Sequence, residues 1–309
     1  MPIRDGWLSD DYGSNGMEVW KITAFIGLVG LAIAYSIVCW YLWQKQARFI
    51  FFPTPEITRT PDDLNLDYEE VWVESVEPGA KLHGWWIPNS ATDRVLLYLH
   101  GNADNIGANA YHAGRFYHLG FSVFIFDYRG YGQSGGEFPT EKTVYEDSDR
   151  IWNYLTQERG IAPEKISVYG HSLGGAIGIE LASKQPKING LAIEGSFTSI
   201  INMTYYRHPI LGLFPIHLLL QNRFDSIDKV PHLQMPLFFI HGTADKAVPS
   251  FMSQELFAAA NGEKKLWLFP DGEHSTVAPL AGEEYFDNLR EFWQLPVFPI
   301  PSYYRKPSD

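Results

Sequence analysis

The chain has one cysteine, Cys39, among 309 residues. No disulfide can form within it, and no cysteine-based metal site can be built. Basic residues are also scarce. Lys and Arg number 24 against 36 Asp and Glu, a net charge of −12 with no basic block. Nucleic-acid binding needs clustered Lys and Arg to neutralise phosphates, so no nucleic-acid partner is expected. The same deficit argues against a polybasic grip on anionic lipid. A P-loop, an H-E-x-x-H pair and a dinucleotide-binding glycine fingerprint are all missing. No metal and no cofactor are therefore expected.

Residues 22–43 read ITAFIGLVGLAIAYSIVCWYLW and hold no charge. As a helix the run covers about 33 Å at ~1.5 Å per residue, enough for a bilayer core of roughly 30 Å. Trp20, Trp40, Tyr41 and Trp43 stand near its ends, where amphipathic rings favour the interface. A cleaved signal peptide fits less well. The leader carries Asp5, Asp10, Asp11 and Glu18, the apolar core is long, and no small-x-small cleavage site comes after it. A buried core helix would carry a polar stripe, which this run lacks. One transmembrane helix is expected, making the chain a single-pass membrane protein. Lys45 and Arg48 after the run, against Lys21 before it, lean toward a cytoplasmic catalytic unit by a margin of about one charge. Cys39 lies within the run, where packing is the plain reading and S-acylation the sharper one.

Around this helix the chain divides into a tail (1–21), a connector (44–68) interrupted by Pro53, Pro55 and Pro61, a large unit (69–295) and a second tail (296–309). Within the large unit, β-branched and aromatic runs at 69–74, 82–87, 94–99, 121–126, 165–169, 190–194, 236–240 and 265–269 read as strands. Helix-like segments separate them from the third onward, which implies parallel strands with helices on both faces. The first two runs meet at the turn Pro78-Gly79 and should pair antiparallel. The expected architecture is an eight-stranded, mostly parallel α/β sheet. Residues 196–232 break the alternation and read as a small cap insertion over the site.

The sharpest chemical signal is Gly170-His171-Ser172-Leu173-Gly174, between the run ISVY and the helical GGAIGIELAS. In a strand–turn–helix context this pentapeptide presents a serine hydroxyl on a tight turn above the sheet. Serine needs a base, and in this arrangement the acid and then the histidine come later in the chain. Asp245 lies just after the buried run PLFFIHG, and His274 just after the last strand. Ser172, Asp245 and His274 are the expected catalytic residues. Asp127 and Asp271 are rival acids, and His100, His171 and His241 read as structural, with His171 pointing away from the base position. An oxyanion needs preorganised N–H donors. The backbone N–H groups of Leu173 and Asn102 are nominated.

These motifs resemble the Bem46-like group of α/β-hydrolases, which includes membrane-anchored members. The matching pieces are the apolar helix, QARFIFFP at 46–53, HGNADN at 100–105, DYRGYGQSGG at 127–136, GHSLGG at 170–175, HGTADKAVP at 241–249 and GEH at 272–274. The likeness runs from about residue 20 to 294. It implies the α/β-hydrolase fold and a triad at Ser172, Asp245 and His274. The third piece departs from the commoner HGNAGN. The leading expectation is an acyl hydrolase acting on an ester or thioester, in a lipid or an acylated protein, with the bilayer as its other partner. An aminopeptidase-like serine peptidase is the alternative, with Glu194 and Asp225 as the acids available to hold a substrate amine. A non-catalytic, membrane-tethered interaction module is the other.

Overall fold

A computed structural model describes residues 12–305, with side chains from Glu18 onward. The leader residues Asp5, Asp10 and Asp11 and the end of the second tail lie outside the described residues. The chain divides into two compact units, Met1–Gln46 and Ala47–Asp309.

Helix α1, Tyr12–Ile50, begins in the first unit and ends in the second. Its portion Glu18–Ile50 is long and apolar enough to cross a membrane. Phe25 and Leu31 are 67% and 70% exposed, so this is not the core helix of a soluble domain. The helix continues past residue 43 to Ile50. Residues 52–53 form a short strand, paired in parallel with residues 103–104.

The second unit carries eight main strands: β1 (Glu69–Glu74), β2 (Lys81–Ile87), β3 (Val95–Leu99), β4 (Ser122–Phe126), β5 (Ile166–His171), β6 (Leu191–Glu194), β7 (Leu237–Gly242) and β8 (Lys264–Phe269). They form one sheet in the order β8-β7-β6-β5-β3-β4-β2-β1. β2 pairs antiparallel with both β1 and β4, and the remaining pairs are parallel. β1 alternates buried and exposed residues along most of its length, as an edge strand does, whereas all five residues of β3 are buried. Alternate residues along each strand enter opposite faces. Leu97 and Val168 join one core, covered by α3 (Glu141–Asn153), α4 (Leu173–Lys184) and α6 (Phe251–Ala259). Tyr98 and Tyr169 join the other, covered by α2 (Ala110–Leu119) and α7 (Glu283–Trp293). Helix α5, Ile200–Arg207, opens the insertion at 196–232, which continues through single helical turns. Beyond α7 the chain does not dangle: Tyr304 is buried, and its hydroxyl donates to the Tyr111 carbonyl.

Pairing register aligns Leu99 with Gly170, His171 with Glu194 and His241 with Leu268. The carboxyl ends of β3, β5, β6, β7 and β8 therefore reach one edge of the sheet. In parallel α/β sheets, sites assemble at that edge.

Candidate active site

Ser172 occupies the turn between β5 and α4 with φ 54° and ψ −117°. Positive φ in a residue other than glycine costs on the order of 1–3 kcal/mol and persists only where the surroundings hold it. Here the Ser172 N–H donates to the Glu194 carbonyl at 2.8 Å. Glycine at 174 has a steric cause, since a Cβ there would overlap the carbonyl oxygen of Leu99. The helix can thus start directly against the end of β3.

His274 Nε2 lies 3.0 Å from Ser172 Oγ, and His274 Nδ1 lies 2.7 Å from Asp245 Oδ2. The carboxylate accepts at Nδ1, so that nitrogen carries the proton and Nε2 is left to take the serine's. The three residues expected from sequence come together as one relay. Asp245 is held on both oxygens. Its Oδ1 accepts the N–H groups of Ala247 and Val248 at 2.7 and 2.8 Å, and its Oδ2 also faces His241 Nε2 at 3.1 Å. Burial opposes its ionisation, but the donors from His241, His274 and Val248 outweigh this and hold the carboxyl well below its usual range.

The two loops that carry acid and base are cross-linked. The N–H groups of Thr243 and Ala244 donate to the carbonyls of Phe269 and Gly272. His241 supports the acid loop from below. Its Nε2 faces both Asp245 and the Val248 carbonyl, two acceptors, so it carries the proton, and Nδ1 accepts from Ser253 Oγ at 2.7 Å. The cap adds a clamp, as Arg207 Nη1 donates to the carbonyls of Lys246 and Ala247. Neither His241's bond to the acid nor Arg207's clamp was legible in sequence. A histidine before a strand-end glycine is a generic signal, and an arginine in an insertion is weaker still.

His171, expected to point away from the base position, instead reaches the His274 loop. Its Nε2 donates to the His274 carbonyl at 2.9 Å, and the two rings stand 5.0 Å apart. It steadies the histidine loop from inside the elbow. Asp127 is fully buried, accepts from the Ile106 N–H at 2.8 Å and sits 3.6 Å from His100 Nε2. Burial pushes its carboxyl up to about 8 and the His100 imidazole down to about 4, so both favour their neutral forms. Asp271 offers its N–H to Thr243 Oγ1. Neither rival acid is the partner of His274.

Leu173 opens α4, and its N–H donates to no described group. The loop 100–102 lies against Ser172, with 3.5 Å between the place a Cβ would take on Gly101 and the Cβ of Ser172. The Asn102 N–H likewise donates to no described group. Among the described residues, no group of three or more His, Cys, Asp or Glu is arranged to hold a metal ion.

Sheet order, elbow serine and relay define an α/β-hydrolase. A family model described as serine aminopeptidase, S33, matches residues 90–227. The chain is 31% identical over 299 residues to protein bem46 of Schizosaccharomyces pombe, covering 91% of this chain and 96% of that one. It is 31% identical over 284 residues to an uncharacterised membrane protein of Saccharomyces cerevisiae, covering 89% and 97%. The solved structure of the Pyrococcus furiosus esterase Pf2001 matches with a TM-score of 0.66 at 24% identity, covering 79% of this chain and 98% of that one, a likeness of fold. The chain belongs to the Bem46-like α/β-hydrolases.

Proposed function

We propose that the chain is a membrane-anchored serine hydrolase that cleaves an acyl ester or thioester through an acyl-enzyme. The observation that carries this reading is the continuous relay Ser172 Oγ–His274 Nε2 at 3.0 Å and His274 Nδ1–Asp245 Oδ2 at 2.7 Å. Ser172 Oγ attacks the substrate carbonyl carbon as its proton passes to His274 Nε2. The oxyanion is held by the N–H groups of Leu173 and Asn102, with the start of α4 adding its dipole. Collapse expels the alcohol or thiol with the proton from His274. Water then repeats the sequence on the acyl-enzyme and restores Ser172.

An acyl substrate is favoured over a peptide amine by the state of the two acids a peptidase would use. Glu194 Oε2 accepts from the hydroxyls of Tyr169 and Tyr285 inside the core, and Asp225 pairs with Arg223. Exposed Ile210 and Leu218 on the cap give it an apolar surface suited to acyl chains. Anchoring by α1 is supported by its length and composition, and by the description of the yeast relative as a membrane protein.

The test is labelling of the full chain with a fluorophosphonate, followed by a panel of ester, thioester and peptide substrates. Wild type should be labelled, and Ser172→Ala should lose both labelling and several orders of magnitude of turnover, because a triad acts as a unit. Near-normal turnover by a folded Ser172→Ala protein would sink the reading. An unlabelled wild type would leave a non-catalytic module.

A further inference from the structure

The chain that leaves α1 is built into the loop nominated to hold the oxyanion. Residues 50–56 run along residues 102–105 as a strap. The Phe52 N–H donates to the Asn102 carbonyl at 2.8 Å, and the Asn102 side-chain amide donates back to the Ile50 carbonyl at 2.7 Å. The Thr54 N–H donates to the Asp104 carbonyl at 3.2 Å. Asn105 Nδ2 then reaches the carbonyls of Thr54 and Glu56 at 3.1 and 2.7 Å. The Tyr131 hydroxyl also donates to the Asn102 carbonyl, at 2.7 Å. Phe51 is buried and packs against Phe224 of the cap, with ring centroids 6.2 Å apart.

Two features separate this strap from ordinary packing. First, Asn102 is gripped at its side chain and its carbonyl, while its N–H donates to no described group and the neighbouring Gly101 lies against Ser172. Second, Asp104 has φ 63°, in the left-handed region. Asp tolerates that region better than most residues, but glycine adopts it without cost. The strained residue is bonded to the strap through its own carbonyl, so the strap holds a loop conformation that the local sequence does not favour.

We infer that residues 50–56 position the oxyanion-binding loop, with Asn102 the positioning residue that links them. The inference rests on the serine-hydrolase reading above. Removing the strap's hydrogen bonds lets the Asn102 N–H drift from the developing oxyanion. That costs transition-state stabilisation and leaves ground-state binding intact. Loss of one oxyanion donor in hydrolases lowers kcat by about 10²–10³-fold, and partial misplacement should cost about tenfold or more.

The discriminating pair is Phe52→Pro and Phe52→Ala in the full chain. Proline removes the N–H that bonds Asn102, whereas alanine keeps it and removes an exposed ring. Phe52→Pro should lower kcat about tenfold or more with KM little changed. It should also weaken inhibition by a trifluoromethyl ketone, which mimics the tetrahedral state, by the same factor. Phe52→Ala should match wild type in both. If Phe52→Pro fails to fold, as read by its melting temperature, Asn102→Ala carries the same expectation. Wild-type kcat and ketone affinity in the folded variants, or a loss confined to KM, would overturn the inference. Fluorophosphonate labelling separates the two failures. A labelled wild type with indifferent variants refutes the strap alone, and an unlabelled wild type refutes the hydrolase reading beneath it.

Discussion

Asp245 accepts from two backbone N–H groups and two imidazoles, and these have different consequences when removed. Asp245→Asn keeps the loop but presents an amide to His274 Nδ1, which favours the wrong tautomer. A loss of about 10⁴-fold in kcat is expected, as in other triads. His241→Ala leaves the carboxylate with fewer donors and His274 still paired. A hydrogen bond to a charged group contributes about 1.5–3 kcal/mol, so a loss of about ten- to a hundredfold in kcat is expected. Steady-state kinetics on variants shown folded by circular dichroism check both, and an equal loss in the two would contradict the division of labour. Asp127 makes a prediction of opposite character. Its folded pKa, pushed up to about 8 by burial, exceeds the unfolded value near 3.9. The folded state therefore binds the extra proton, and stability present below about pH 4 is lost as pH rises toward 8. The melting temperature of Asp127→Asn relative to wild type should rise across that window. A pH-independent difference would mean that Asp127 is ionised in the fold.

All eight main strands were legible as short β-branched or aromatic runs because most cross the buried middle of the sheet and the edge strand still buries alternate residues, where packing demands such side chains. The elbow was legible because Gly170, Ser172 and Gly174 satisfy a local steric problem within five residues. The strap was not. Residues 52 and 53 are too few to show a period, they include a proline, and Ile50 bonds a side chain 52 positions away. Its residues entered the sequence argument only as the piece QARFIFFP shared with the resembled family. The insertion at 196–232 was legible as a break in the strand–helix alternation, and its apolar run 210–220 splits in two: Ile216 is buried, while Ile210 and Leu218 are exposed. Replacing Leu213 and Phe214 with Ser should lower kcat/KM for long-chain esters more than for acetyl esters. The bound is about 0.8 kcal/mol per buried CH₂. Equal loss for both chain lengths would reduce the run to packing.

For the whole molecule, the first expectation is retention. Full-length protein should stay with membranes through high-salt and carbonate washes, and deletion of residues 1–44 should release it. Immunoblots of pellet and supernatant decide this, and a freely soluble full-length chain would refute the anchor. Residues 47–56 survive that deletion, so on the serine-hydrolase reading the released protein should keep the activity of the full chain. The strap also makes the N-terminal stretch a place where the position of a cut matters more than its occurrence. A protease acting just before residue 47 would shed a working enzyme into solution. On the proposed reading, one acting just beyond Glu56 would sever the covalent link between strap and sheet, leaving the relay of Ser172, His274 and Asp245 complete but the loop at Asn102 backed only by non-covalent contacts. On that reading, shedding and silencing would be alternative outcomes of cleavage, set by which peptide bond in this short stretch is cut.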